Sequence, residues 1–191
     1  MDLGLKTVGS KSHASLLRRL NVMPGQHGTR TRRKFSEYGK QVREKQKLRY
    51  MFGVTESKLK NYFQKAKKKT GNTGLYLSQY LERRFDNVIY RLGFVPTRAA
   101  ARQLIVHGHM KVNDRILSVP SYEVKVGDVI SFAKDKSQKI PQVSISLDKK
   151  DAIIPEWLER KGPIGKLAAA PSADIIGKQI NLRSVIEFYS R

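Results

Sequence analysis

The chain has 191 residues, no cysteine, and 38 Lys+Arg against 16 Asp+Glu, a formal net charge of +22. These values exclude disulfides, zinc knuckles and thiol chemistry, while 39% hydrophobic residues allow one or two domains with a real core. So large a charge repels itself in a compact state and calls for a polyanion, either nucleic acid or an anionic membrane. No apolar run approaches 18 residues and no signal peptide is visible, so the expectation is an intracellular soluble protein.

The charge is uneven: residues 1–70 hold 19 Lys+Arg and 4 Asp+Glu, the remainder 19 and 12. Through about Val22 the sequence has little periodicity beyond Leu16, Leu17 and Leu20, and is expected to be irregular or partly helical. Pro24-Gly25-Gln26-His27-Gly28 follows, with Arg30, Arg32, Arg33 and Lys34 behind it. Two glycines around a polar pair expose backbone N–H groups, and the basic run would hold that loop against phosphates. His27 has no second ligand at a useful spacing, so metal binding is not expected.

Ser36 can cap a helix running to about Phe52, with Gly53 at its end. Its apolar stripe is Phe35, Tyr38, Val42, Leu48 and Phe52, crowded by Arg43, Lys47 and Arg49. Thr55 can cap the next helix, where Leu59, Tyr62, Phe63 and Ala66 make a cleaner apolar face ringed by lysines that include Lys67 and Lys68. Such basic amphipathic helices can lie on membranes, but the apolar residues are too sparse and too well matched to a helix–helix core. Thr70 to Gly74 is the first boundary.

The centre of the chain runs from Leu81 to Phe132. Leu77, Leu81, Phe85, Val88, Ile89 and Leu92 have a helical period, ending at Gly93. Pro96 and Thr97 then predict a second helix from Arg98, with Ala101, Leu104 and Ile105 inside and Gly108 as its stop. From Met110 the period becomes two, with turns at Asn113-Asp114 and Gly127-Asp128. Arg84 and Arg91 share one side of the first helix, Arg98 and Arg102 one side of the second. A cation at a helix start costs a few tenths up to about 1 kcal/mol, and a bound phosphate would reverse that sign. Four arginines in this pattern predict one phosphate-binding site.

Beyond Phe132, Lys134 to Lys139 reads as a polar loop and Gln142 to Leu147 as a strand with Val143, Ile145 and Leu147 on one face. Trp157 beside Pro155 is expected to anchor on a domain surface, Lys161 to Pro171 to be an exposed loop, and Asn181 to cap a terminal helix with Leu182, Val185, Ile186 and Tyr189 inside. That helix is expected to pack on the N-terminal helices, making the first domain discontinuous. The expected class is α+β. A mostly helical N-terminal domain, residues 1–74 completed by 172–191, accompanies a domain 75–171 whose core, 81–132, sets short helices on a small antiparallel sheet. No P-loop, GxSxG, HExxH or paired carboxylate in an apolar setting is present, so no enzyme is expected. His107-Gly108-His109 lacks a completing metal ligand and suits phosphate or backbone contact.

Three stretches carry a resemblance. Leu81 to Gly93, the helix from Thr97 to Leu104, and His107-Gly108-His109 with Val112-Asn113 closely resemble the RNA-binding module named after small-subunit ribosomal protein four. Pro24 to Gly28 with Glu37-Tyr38-Gly39, Arg43 to Arg49 before Phe52-Gly53, Pro155 to Leu158, and Val185 to Arg191 narrow it to the bacterial-type family of that ribosomal protein. The resemblance implies a non-enzymatic primary binder of small-subunit ribosomal RNA in the ribosome, cytoplasmic or organellar; many relatives carry a cysteine zinc site, but with no cysteine here zinc is not expected, nor is a cofactor or a membrane partner. It also implies nucleation of the subunit body, contact with ribosomal protein five, and a part in translational accuracy. A non-ribosomal RNA-binding or chaperone protein using the same module is the alternative. Residues nominated for RNA contact are Pro24, Gly25, Gln26, His27, Gly28, Arg30, Arg32, Arg33 and Lys34 in the first loop. Tyr38, Arg43, Lys47, Arg49, Lys67 and Lys68 follow on the N-terminal helices. The module contributes Arg83, Arg84, Arg91, Thr97, Arg98, Arg102, Gln103, His107, His109, Lys111 and Asn113.

Overall fold

The computed structural model describes residues 5–20, 22, 26, 36–148, 153–172, 174–177 and 179–190. The chain opens with α1 (Lys11–Arg18), capped by Ser10, whose side chain accepts from the His13 N–H. The next two helices follow their local signals. Ser36 accepts from the Gly39 N–H at the head of α2 (Glu37–Phe52), and Gly53 closes it at φ 58°, a left-handed geometry that suits glycine. Thr55 stands at the N-cap of α3 (Glu56–Lys67), without a side-chain capping bond.

The single long period expected from Leu77 to Leu92 is broken in two. Asn72 caps α4 (Thr73–Glu82), and α5 (Phe85–Arg91) starts afresh after Arg84, whose φ −62° and ψ 137° are extended. The break is sustained from far along the chain: the Phe85 and Asp86 N–H groups donate to the Tyr122 and Pro120 carbonyls, and Arg84 bridges to Glu123. Those two donors belong to a helix first turn and need partners from outside the helix. Thr97 caps α6 (Arg98–Val106), accepting from the Ala100 N–H.

A five-stranded antiparallel sheet follows, in spatial order β2-β1-β3-β5-β4. β1 (Met110–Val112) and β2 (Arg115–Ile116) are joined at Asn113 and Asp114, both with positive φ, the geometry of a two-residue hairpin turn. β3 (Val129–Phe132) pairs β1 with Met110 opposite Phe132, and Val129 of β3 faces Lys166 of β5 (Ile164–Leu167), which hairpins with β4 (Leu158–Lys161). The loop expected over Lys161 to Pro171 is therefore largely this hairpin. Its turn is Gly162-Pro163, and composition alone hid it. A Cβ at Gly165 would overlap Leu92, so glycine there lets β5 lie directly on the end of α5. The strand expected at Gln142 to Leu147 is a helix, α8 (Pro141–Asp148), preceded by a short α7 (Asp135–Gln138). Proline suits a first helical position, and in the helix Ile145 is exposed while Val143 and Ser146 are buried. The chain ends with α9 (Asp174–Gly177) and α10 (Leu182–Ser190), where Asn181 Oδ1 accepts from the Ser184 N–H.

Two apolar clusters form. One joins α5, α6 and the inner sheet face through Phe85, Ile89, Leu92, Ile105, Met110 and Ile130, and takes in Trp157. The other joins α2, α3 and α4 through Leu48, Phe52, Leu59, Leu77 and Leu81 with Ile176, Ile180 and Val185. α10 lies on α2, α3 and α4. Polar contacts reinforce it: Gln41 Nε2 donates to Glu187 Oε2 (3.2 Å), the Asn181 N–H to Glu44 Oε2 (3.1 Å), and the Tyr189 hydroxyl to Glu56 Oε1 (2.7 Å).

Candidate nucleic-acid interface

Between the two clusters lie two buried carboxylates, Glu82 at the end of α4 and Asp86 at the start of α5, with side-chain exposures of 0% and 2%. Burying a carboxylate is costly unless it is paired and hydrogen-bonded, and these are. Glu82 accepts from Arg91 (Nη2, 2.7 Å; Nε, 3.1 Å) and from Asn87 Nδ2 (2.6 Å). Asp86 accepts from Arg84 (Nη2, 2.7 Å; Nε, 3.1 Å) and from Arg102 (Nη2, 2.7 Å; Nε, 3.2 Å). Arg98 donates to Asn87 Oδ1 (2.8 Å) and stacks over Tyr90 (4.3 Å) and Phe52 (5.0 Å).

The same arginines reach across to the helical cluster. Arg84 Nη1 donates to the Tyr62 hydroxyl (2.9 Å). Arg102 donates to the Gly53 carbonyl (2.9 Å) and the Phe52 carbonyl (3.2 Å), so a cation on α6 sits at the negative end of α2. Burial works against the charge of Arg84, but its bonds and attraction to Asp86, with Tyr62 adding, outweigh it and hold the guanidinium above its ordinary value. Arg98 has no carboxylate of its own. Burial first, and then repulsion from Arg91, push it below its ordinary value.

The four arginines expected to form one phosphate-binding site are mostly turned inward. Arg84 and Arg98 are buried and Arg91 is half-buried. The donors of Arg84 and Arg91 are turned onto the two nearby acids, and that of Arg98 onto the Asn87 amide oxygen. Arg102 keeps some exposure, 36% of its side chain. The Arg98 side chain packs between the rings of Phe52 and Tyr90. Other nominated residues also make contacts within the protein. Arg83 donates to the Val124 carbonyl (2.9 Å) and pairs with Glu123 (3.1 Å). Thr97 is a cap, Lys111 pairs with Asp114, and Asn113 ties the hairpin by donating to Asp128 and accepting from the Val129 N–H. Lys47 pairs with Glu44, and Arg49 lies over the Tyr50 ring.

What faces outward is a different set. Along α3, Lys58, Lys60, Lys65 and Lys67 are exposed opposite the buried Leu59, Phe63 and Ala66, and Lys68 continues the row; none of the five has an acidic partner among the described residues. Lys67 and Lys68 were nominated; Lys58, Lys60 and Lys65 were not, although their spacing to Lys67 already put them off the apolar face. On the module side, Lys134, Lys136 and Lys139 are exposed around α7. Tyr38 (53% exposed) and Arg43 face solvent on α2, with Tyr38 packed against Phe188 (centroids 5.9 Å), and Gln26 is exposed. Pro24, Gly25, His27, Gly28, Arg30, Arg32, Arg33 and Lys34 lie outside the described residues.

Gln103, His107 and His109 come together on one wall of a groove of about 320 Å³ between α6 and the α7–α8 corner, with Gln142 and Val143 opposite. The two imidazole rings are parallel, 3° apart in plane and 6.2 Å between centroids. Arg160, which the sequence did not single out, fastens the other side of the module. It donates to the Leu92 carbonyl (3.1 Å) and the Leu147 carbonyl (3.2 Å). Among the described residues no group of three or more His, Cys, Asp or Glu could hold a metal ion, and no helix is long and apolar enough to cross a membrane.

Comparison with known proteins adds to this geometry. Residues 2–82 match the family model for the ribosomal protein S4/S9 N-terminal domain, and residues 83–130 match that for the S4 domain. The chain is 44% identical over 196 residues to small ribosomal subunit protein uS4 of Aquifex aeolicus, covering 98% of this chain and 92% of the relative. It is 45% identical to the uS4 of a Sulfurihydrogenibium species (89% and 85% covered) and 46% identical to that of Pelotomaculum thermopropionicum (91% and 84% covered).

Proposed function

This chain belongs to the family of small ribosomal subunit protein uS4, and on that premise we propose that it is a primary binder of small-subunit ribosomal RNA that helps nucleate the body of the subunit. It is a constituent of the small ribosomal subunit and binds ribosomal RNA.

The observation that carries the reading is how the charge is sorted. The buried carboxylates Glu82 and Asp86 hold arginines inward and join two apolar clusters into one body, while the lysine row of α3 is left outward with no acidic partner among the described residues. A surface of that kind neutralises phosphates, and the rigid body behind it selects RNA by shape, since the deep A-form major groove is closed to side chains. The outward row Lys58 to Lys68, with Arg43, Arg102 and the Gln103–His109 wall, is our candidate contact surface. On the strength of the resemblance, the stretch Pro24 to Lys34 is nominated for RNA contact as well. Arg84 and Arg98 act by setting the angle between the two clusters. A helical N-terminal domain completed by residues 172–191 beside a central module suits the two clusters. The passage between them falls at Arg83–Arg84, because Leu77 and Leu81 of α4 pack with Leu48 and Leu59. Family membership supports contact with ribosomal protein five, a part in translational accuracy, and work without catalysis in a cytoplasmic ribosome.

The test is filter binding of a structured small-subunit RNA fragment and a random duplex of equal length. Preference for the fragment is expected, with affinity falling roughly 10³–10⁵-fold between 50 and 200 mM salt if about 6–10 phosphates are engaged. Equal binding of both RNAs would instead favour the general coating or chaperone reading.

A further inference from the structure

The groove beside α6 has the chemistry of a site rather than of a packing defect. Its volume, about 320 Å³, lies at the lower end of small-molecule sites. The floor is apolar: Leu104 and Val143 are buried, with Ile140 packed against the same core. The walls are polar and flat, formed by the Gln103 and Gln142 amides and by the parallel rings of His107 and His109. His109 is held in its plane by a 3.1 Å hydrogen bond between Nδ1 and the hydroxyl of Ser137, itself 2% exposed.

These features select among ligands. An aliphatic group would leave two amides and two imidazoles unpaired as they lost water. A bare phosphate would meet an apolar floor with no lysine or arginine lining the groove. A flat heterocycle with donors and acceptors along its edge satisfies both surfaces. The segment leading into the Ile140–Pro141 wall carries Lys134, Lys136 and Lys139, all exposed and without an acidic partner among the described residues. The heterocycle is thus expected to arrive on an anionic chain. We propose that this groove takes one unstacked nucleobase of the bound RNA. The base lies on the histidine rings, its edge meets Gln103 and Gln142, and the flanking lysines hold its phosphates. Single-stranded and bulged RNA is recognised through splayed bases in this way. The inference rests on the RNA-binding reading above and adds an unpaired base to it.

The test uses Ala100→Trp, which fills the groove from α6, and Gln103→Ala, which trims an exposed side chain; thermal melts check that both fold. Each protein is titrated with the ribosomal RNA fragment, a fully paired duplex, a single-stranded RNA octamer and the same octamer with abasic sugars. Stacking of one base predicts roughly a tenfold loss for Ala100→Trp on the fragment and the intact octamer. Duplex binding and salt slope should stay unchanged, because no phosphate contact is removed. The abasic octamer should bind wild type about as weakly as the intact octamer binds Ala100→Trp. The proposal is overturned if the abasic and intact octamers bind wild type alike, or if Ala100→Trp binds the fragment at full strength or weakens the duplex equally. If Ala100→Trp does not fold, Gln103→Ala and the abasic comparison decide. Wild-type protein with no preference for the fragment over random duplex would remove the RNA reading itself, a separate result.

Discussion

Replacing Asp86 with asparagine keeps the size of the side chain and removes the charge on which two arginines converge. Four arginine N–H groups, two from Arg84 and two from Arg102, end on its oxygens at 2.7–3.2 Å. The two arginines will not respond alike. Arg102 is 36% exposed and can turn to water, so its share stays near the surface value of up to about 1 kcal/mol. Arg84 is 6% exposed and is left as a buried charge with a neutral amide in place of its carboxylate and, among the described residues, the Tyr62 hydroxyl as its other side-chain acceptor. Removing one partner of a buried pair costs about 3–5 kcal/mol. In a chain of this length that lowers Tm by roughly 6–20 °C. The assay is urea unfolding at neutral pH, followed by far-UV circular dichroism and by the fluorescence of Trp157, the one tryptophan, which reports the module cluster. Glu37→Gln is the control, since its partner pair with Lys40 is 58% and 78% exposed. Coincident loss of both signals means the clusters unfold as one body; separated transitions mean that Asp86 mainly joins them. A midpoint for Asp86→Asn indistinguishable from that of Glu37→Gln refutes the argument.

Arg98→Ala should destabilise the free protein, measurably by thermal melting, because it empties the space between Phe52 and Tyr90 and leaves Asn87 Oδ1 without its donor; an unchanged melt contradicts the buried role. By contrast, Lys67→Ala should leave the melt unchanged and weaken all RNAs by similar small factors in filter binding. Deleting residues 182–190 removes the buried Val185, worth about 1.5–3 kcal/mol, and the partly buried Leu182 and Tyr189 from the helical cluster, so hydrogen exchange of α2 and α3 should accelerate strongly. The Tyr189–Glu56 bond should loosen α10 at both ends of the pH scale. Burial raises Glu56, but bonds from Lys45 and Tyr189 outweigh it and hold the carboxyl below its ordinary value, so its contribution is present above the unfolded value and lost as pH falls through the lower folded one. Tyr189 is pushed up by burial and then by Glu56, so its contribution is intact below its ordinary value of about 10 and is lost as pH rises beyond it. Tyr189→Phe should abolish the alkaline limb and spare most of the acid one, which stability measured against pH will show.

Features set by neighbouring residues were legible in the sequence. Ser36, Thr97 and Asn181 cap the helices whose starts they announced, Gly53 stops α2, and Asn113-Asp114 makes the hairpin turn, because each acts on backbone groups within a few positions. What failed depended on distance. The α4–α5 break is sustained by carbonyls at 120 and 122, which no local period can reveal. α8 alternates like a strand, but Val143 and Ser146 face inward at helical spacing and Ile145 does not. The sequence could not say that Glu82 and Asp86 would lie opposite the arginines, although two acids four apart amid four arginines was the available signal. The α3 lysine row was visible as composition, while the groove at His107 and His109 needs α7 and α8 folded against α6.

The helical cluster has a consequence for synthesis. Chains are made from the N-terminus at about 5–20 residues per second, and early segments ordinarily fold first. Here α2 and α3 emerge early, but Ile176, Ile180 and Val185 must join them. The module, whose cluster is complete by Leu167, can close while the earlier helices still lack their last partners. The most basic third of the chain is thus the last to settle, left open to nucleic acid throughout its own manufacture.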